Sequence, residues 1–170
     1  TGDLHDIIIP ETINGVTVTD ISNSAFSSVE VWGITLPDTI TFLGGTSSAG
    51  KHRQSFKGNT ELIFLDGESV KKVGYNTFDS TCIRFYNLPN LEHIGYRAFY
   101  NVKSIDTLFL PKAKTIDLEA FRYAYCTELF LPEVTTIGFA SFYNFEAHRL
   151  SIPNLKNFVG GSQGRTAYMD

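Results

Sequence analysis

Apolar positions recur along this chain at a nearly constant pitch. An aliphatic residue is followed five positions later by phenylalanine in the pairs Ile21 and Phe26, Val73 and Phe78, Ile94 and Phe99, Ile116 and Phe121, and Ile137 and Phe142. From Phe78 the next phenylalanines fall 21, 22 and 21 residues on. Between them runs a second phrase, apolar–any–apolar–Pro, ending at Pro10, Pro37, Pro89, Pro111, Pro132 and Pro153. Apolar residues two apart share one face of a strand. Proline lacks the N–H that ladder pairing needs and closes the strand. Each unit therefore predicts a short strand, a proline turn, one buried aliphatic, a tight turn or short helical piece, and one buried phenylalanine. Such a unit is too small to bury its own apolar face, so the period implies a solenoid whose repeats stack only on their neighbours. Seven strands would make a parallel sheet roughly 29–35 Å along the stack.

Two stretches break the pattern. Leu43 and Gly44 open a unit whose phenylalanine, Phe56, arrives 13 residues after Leu43 rather than five. This places an insertion at about 45–54, where solenoids put loops. The next strand reads as Ile63, Phe64 and Leu65, with Asp66 and Gly67 where proline is expected. The tail echoes the opening of a unit at Phe158–Gly161 and stops without its phenylalanine, as a partial repeat or cap over 154–170 would. Gly74, Gly95 and Gly138 suit a backbone needing positive φ or close approach.

Strand, proline, Ile-Gly and Ala-Phe in that order resemble the BspA-type (Treponema pallidum-type) leucine-rich repeat. Leu108 to Pro111 followed by Ile116, Ala120 and Phe121 is close to that pattern, as is Leu129 to Pro132 followed by Ile137, Gly138, Ser141 and Phe142. The run from Ile9 to Ile21 resembles an opening repeat, and the resemblance covers about residues 5–160. It implies a right-handed leucine-rich-repeat-like stack of about seven units, with one parallel β-sheet and short helical or turn segments opposite. It also implies a single domain over 1–170, extracellular or on a cell surface, that adheres to a host or other cell-surface or extracellular-matrix protein and is not an enzyme. Two other readings stand beside adhesion: a structural spacer within a larger surface protein, and a glycan-binding accessory domain of an enzyme.

Composition narrows the partners. The formal charge of −4, with no basic stripe interleaved with aromatics, disfavours nucleic acid. No segment approaches the roughly 18 apolar residues of a membrane span, so this stretch is not expected to insert. The chain opens at Thr1 without methionine, as a processed fragment would, so the lack of a leader is uninformative. Gly45 to His52 fits a phosphate-loop spacing but has His52 where the Mg²⁺-holding hydroxyl belongs, and little helix can follow it; an insertion loop is the plainer reading. The four histidines lack metal-ligand spacing, and no nucleophile, base and carboxylate fall in matching slots, so no catalytic, cofactor or metal residues are assigned. Cys82 and Cys126 read as two buried thiols, roughly 10 Å apart and too distant for a disulfide.

The remaining chemistry is aromatic. Between inward-pointing strand residues the middle position faces out, giving the row Ile8, Thr35, Phe64, Asn87, Phe109, Phe130 and Ser151. Two positions earlier on the same face lie Phe85, Thr107, Glu128 and Arg149. Exposed aromatics in contact mark interaction sites, so Phe64, Phe85, Phe109, Phe130, Glu128 and Arg149 are the candidate partner-binding residues. A second set, Tyr75, Tyr96, Phe139, Tyr100, Tyr123, Tyr125 and Tyr143, either recognises a partner or merely covers the turn side of the stack.

Overall fold

The computed structural model describes residues 5–22, 25–26, 30–44 and 54–159. Most of the expected 45–54 loop, with its phosphate-loop spacing, lies outside the described residues, as does 160–170 of the expected cap.

Each repeat after the first contributes one strand to each of two walls. On one wall β1 (Asp6–Ile8), β4 (Gly33–Thr35), β6 (Phe64–Asp66) and β8 (Phe85–Asn87) form a parallel sheet in that order. The wall continues as a second parallel sheet of β10 (Ile105–Phe109), β12 (Tyr125–Phe130) and β14 (Glu146–Ser151). At the junction the Asp106 N–H donates to the Arg84 carbonyl at 3.1 Å. Seven strands thus lie on this wall among the described residues, one per expected unit, in two sheets rather than one. Across the core, where one buried aliphatic between two turns was expected, stands a wall of two-residue strands: β5 (Phe42–Leu43), β7 (Lys72–Val73), β9 (His93–Ile94), β11 (Thr115–Ile116), β13 (Thr136–Ile137) and β15 (Asn157–Phe158). A small antiparallel hairpin, β2 (Thr12–Ile13) and β3 (Val16–Thr17), turns through Asn14 and Gly15, both at positive φ.

Register stacks like on like. Ile7, Ile34, Leu65 and Tyr86 are successive partners on the first wall, then Leu108, Leu129 and Leu150. Leu43, Val73, Ile94, Ile116, Ile137 and Phe158 do the same on the second. Between the walls Phe26, Phe56, Phe78, Phe99, Phe121 and Phe142 form one file, with ring centroids 5.6, 5.6, 5.1, 4.9 and 5.4 Å apart. The four central rings are fully buried. Each buried phenylalanine contributes about 1.5–3 kcal/mol of transfer free energy.

Among the described residues the corners are turns, with no helix. The reason lies in the backbone. The N–H groups of Phe56, Phe78, Phe99 and Phe121 donate to Thr77, Ala98, Ala120 and Ser141 of the next rung at 2.8–3.1 Å. An N–H committed to a neighbouring repeat cannot make the i→i−4 bond of a helix. The chain reverses instead through left-handed residues at two repeating slots, Asn76, Arg97, Glu119 and Ala140, then Ser80, Asn101, Tyr123 and Asn144. The glycines two residues before the first slot serve close approach. A Cβ on Gly95 would lie 2.7 Å from the Val73 carbonyl oxygen, and one on Gly138 2.5 Å from the Leu118 nitrogen.

Register also corrects the irregular unit. Leu65 pairs with Ile34 and Asp66 with Thr35, so Gly67 falls in the slot of Leu36 and Leu88, and Glu68 in the proline slot. A Cβ there would lie 3.0 Å from Leu88 Cδ2 and 3.3 Å from Leu36 Cδ1, because those neighbours already fill the space.

Candidate binding surface

The outer face of the first wall brings the expected aromatics together. Phe64 pairs with Phe85 across β6 and β8, and Phe109 with Phe130 across β10 and β12. This corrects the placement of Phe64. The expected strand Ile63–Leu65 put it in the row of Thr35 and Asn87, whereas it pairs with Gly33 and Phe85 and Asp66 takes its place. Without a proline in this unit, the sequence carried no marker for the strand's end. The correction keeps Phe64 on the outer face and sets it directly beside Phe85.

Phe64, Phe85 and Phe109 are 39%, 45% and 56% exposed, which is unusual for side chains that would each gain by burial. Phe109 and Phe130 meet edge to face at 6.5 Å. Arginines lie over the stripe's rings: Arg149 is 5.1 Å from the Phe130 centroid and Arg84 5.4 Å from that of Phe85. Arg84 also pairs with Asp106 at 2.9 Å, and Glu128 sits beside Arg149 in register. Trp32 and Ile63 extend the apolar surface toward the N-terminal rungs, and the sequence reading missed both. They occupy the slot of Arg84 one and two rungs earlier, since the Arg84 N–H donates to the Ile63 carbonyl and the Ile63 N–H to that of Trp32.

Five of the seven residues in the second aromatic set fall into two groups. Tyr100, Tyr123 and Tyr143 stack edge to face at 5.6 and 5.8 Å. Arg97 lies 4.9 Å over Tyr96 and Tyr100, and Arg122 4.8 Å over Tyr123 and Tyr143. Both guanidiniums converge on Glu119: Arg97 Nε donates to Oε2 at 2.5 Å and Arg122 Nη1 to Oε1 at 2.6 Å. These contacts tie successive corners together. Tyr75 and Tyr96, 5.2 Å apart, instead line an open cleft on the second wall.

The cysteines differ in the way strand parity demands. Cys126 pairs with Ile105 and Ala147 on the inner face and is buried, whereas Cys82 is exposed. Arg84 lies opposite Asp106, so the inward partner of Ile105 is Ile83, one residue after Cys82, and alternation turns Cys82 outward. The expectation of two buried thiols is therefore wrong for Cys82. Burial pushes the Cys126 thiol up to about 12. Native protein at pH 8 should accordingly take up one equivalent of iodoacetamide, at Cys82, and a second only on denaturation. Peptide mapping that finds both labelled at comparable rates would contradict the inward placement of Cys126.

Stacked two-walled repeats around a continuous apolar file, with side chains presented on the outer faces, define a solenoid scaffold. Residues 53–162 match the BspA type leucine-rich repeat region in 6 copies, and the chain belongs to that family. The first two units lie before the matched stretch but stack on it in the same register. No curated protein matches the chain. Repeats of this type are binding scaffolds, often associated with surfaces and typically non-catalytic. Among the described residues no helix is long and apolar enough to cross a membrane.

Proposed function

We propose that this chain is a non-catalytic protein-binding module of a secreted or surface-anchored protein, and that it adheres to a host or other cell-surface or extracellular-matrix protein. The observation that carries this reading is the two aromatic pairs, Phe64 with Phe85 and Phe109 with Phe130, presented on the outer face of the first wall. Exposed aromatics held on rigid strands supply contact area with little conformational entropy left to lose on binding. Arg149 and Glu128 at one end of the stripe supply polar contacts at its rim.

The test is a double variant, Phe109→Ser with Phe130→Ser, assayed for binding to immobilised extracellular-matrix proteins and to intact cells. Binding should fall at least about tenfold, since central aromatic contacts at interfaces are commonly worth 2 kcal/mol or more. Circular dichroism and Tm should stay close to those of the parent, because both side chains lie on the outer face, Phe109 exposed and Phe130 half-buried, and neither belongs to the core. Binding that persists unchanged in the folded variant would sink the aromatic face as the contact surface, and no binding by the parent chain would leave it as a spacer.

A further inference from the structure

The outer face of the second wall holds a cleft of about 600 Å³, within the usual range for small-ligand sites. It runs along the stack across β5, β7, β9 and β11. Gly74 and Gly95 form its floor, Tyr75 and Tyr96 one side, and Phe42, Lys72 and His93 the other. The floor is flat because these rungs approach too closely for a Cβ at Gly95. Its charge changes along its length. Lys71 and Lys72 lie exposed at the β7 rung, with no carboxylate within ion-pair distance among the described residues, unlike Lys57, Arg84, Arg97, Lys114 and Arg122. Asp117 lies at the β11 end, 3.1 Å from His93 Nε2, and His93 Nδ1 is 2.7 Å from Thr115 Oγ1. Both imidazole nitrogens are thereby engaged, which fixes the ring as a wall.

We propose that this cleft binds an anionic saccharide, with its carboxylate or sulfate at Lys71 and Lys72 and its hydroxyls donating to Asp117. Four features select this class. Two neighbouring cations in a chain of net charge −4 favour an acid group over a neutral ligand. A carboxylate at the far end repels a uniformly acidic peptide but accepts hydrogen bonds from sugar hydroxyls. The backbone of the floor already bonds from rung to rung, with Gly74 N–H donating to Leu43 and Gly95 N–H to Val73, so a strand-like peptide finds no free edge to pair with. Tyrosines in the middle suit a ligand of mixed apolar and hydroxyl surface. The proposal is independent of the phenylalanine stripe, which lies on the opposite wall.

Isothermal titration calorimetry tests it with a hyaluronan hexasaccharide, which carries carboxylates alone, and a heparin hexasaccharide, which carries sulfates as well. Chitohexaose and hexaglutamate serve as the neutral sugar and the acidic peptide. At least one anionic sugar should bind, and the binding arm identifies the acid group. Lys71→Glu with Lys72→Glu should weaken that binding at least about tenfold, as loss of charge-assisted hydrogen bonds does. The Lys71→Gln, Lys72→Gln pair should weaken it in the same direction should the charge reversal perturb folding. The Phe109→Ser, Phe130→Ser variant should bind the sugar unchanged. Failure of both anionic sugars, equal binding of chitohexaose or hexaglutamate, or indifference to both lysine pairs would each overturn the proposal.

Discussion

Phe121→Ala is expected to lower the unfolding free energy by about 3–5 kcal/mol, the usual cost of truncating a fully buried phenylalanine. The Phe121 ring is stacked between Phe99 at 4.9 Å and Phe142 at 5.4 Å, with interplanar angles of 5° and 2°. Phe145 packs against its edge at 6.1 Å. Truncation leaves a gap in the middle of a file in which each repeat is stabilised by its neighbours, so two interfaces weaken together. Urea unfolding followed by circular dichroism measures the loss. Phe26→Ala, at the half-buried end of the same file, should cost less. A loss below about 1 kcal/mol at Phe121 would contradict a packed file, given what buried rings of this kind are worth.

The second large effect is expected at Gly44, where Gly44→Ala should cost about 2–4 kcal/mol. Two penalties act there. The backbone has φ +88°, a left-handed conformation that side chains adopt at a cost. A Cβ would also overlap the hydroxyl of Thr77 and lie 3.1 Å from Gly74 Cα. Thr77 has little room to yield, because it is fully buried and its hydroxyl donates to the Gly74 carbonyl at 3.1 Å. A Tm within a degree or two of the parent would show that this rung can shift to admit a methyl group.

The file of phenylalanines was readable because from Phe56 on its members recur at 21 or 22 residues, and only stacking makes that period useful. The inward and outward alternation of the first wall was readable wherever a proline marked the strand's end, as at Leu108 to Pro111 and Leu129 to Pro132. At Phe64 the marker was missing, and the assignment slipped against the observed register. Cys82 and Cys126 looked equivalent by their place in the repeat, yet they differ by one position in register, and a one-residue difference reverses the face. The glycine slot was recognised, but its cause was not. Left-handed backbone falls mainly two residues later, on Asn76, Arg97, Glu119 and Ala140, while glycine admits the next rung.

The sequence alone determined that this protein is a stack of leucine-rich repeats with phenylalanine at its centre, because burial follows a period that a single chain displays. Tertiary structure decided what the outer faces present. The second wall, the Glu119 clamp and the cleft between Lys72 and Tyr96 join residues a whole repeat or more apart. Which of those meet depends on rung-to-rung register and on the close approach of backbones at Gly95 and Gly138. Surface positions carry no burial constraint of their own, so nothing in the linear pattern announces their neighbours.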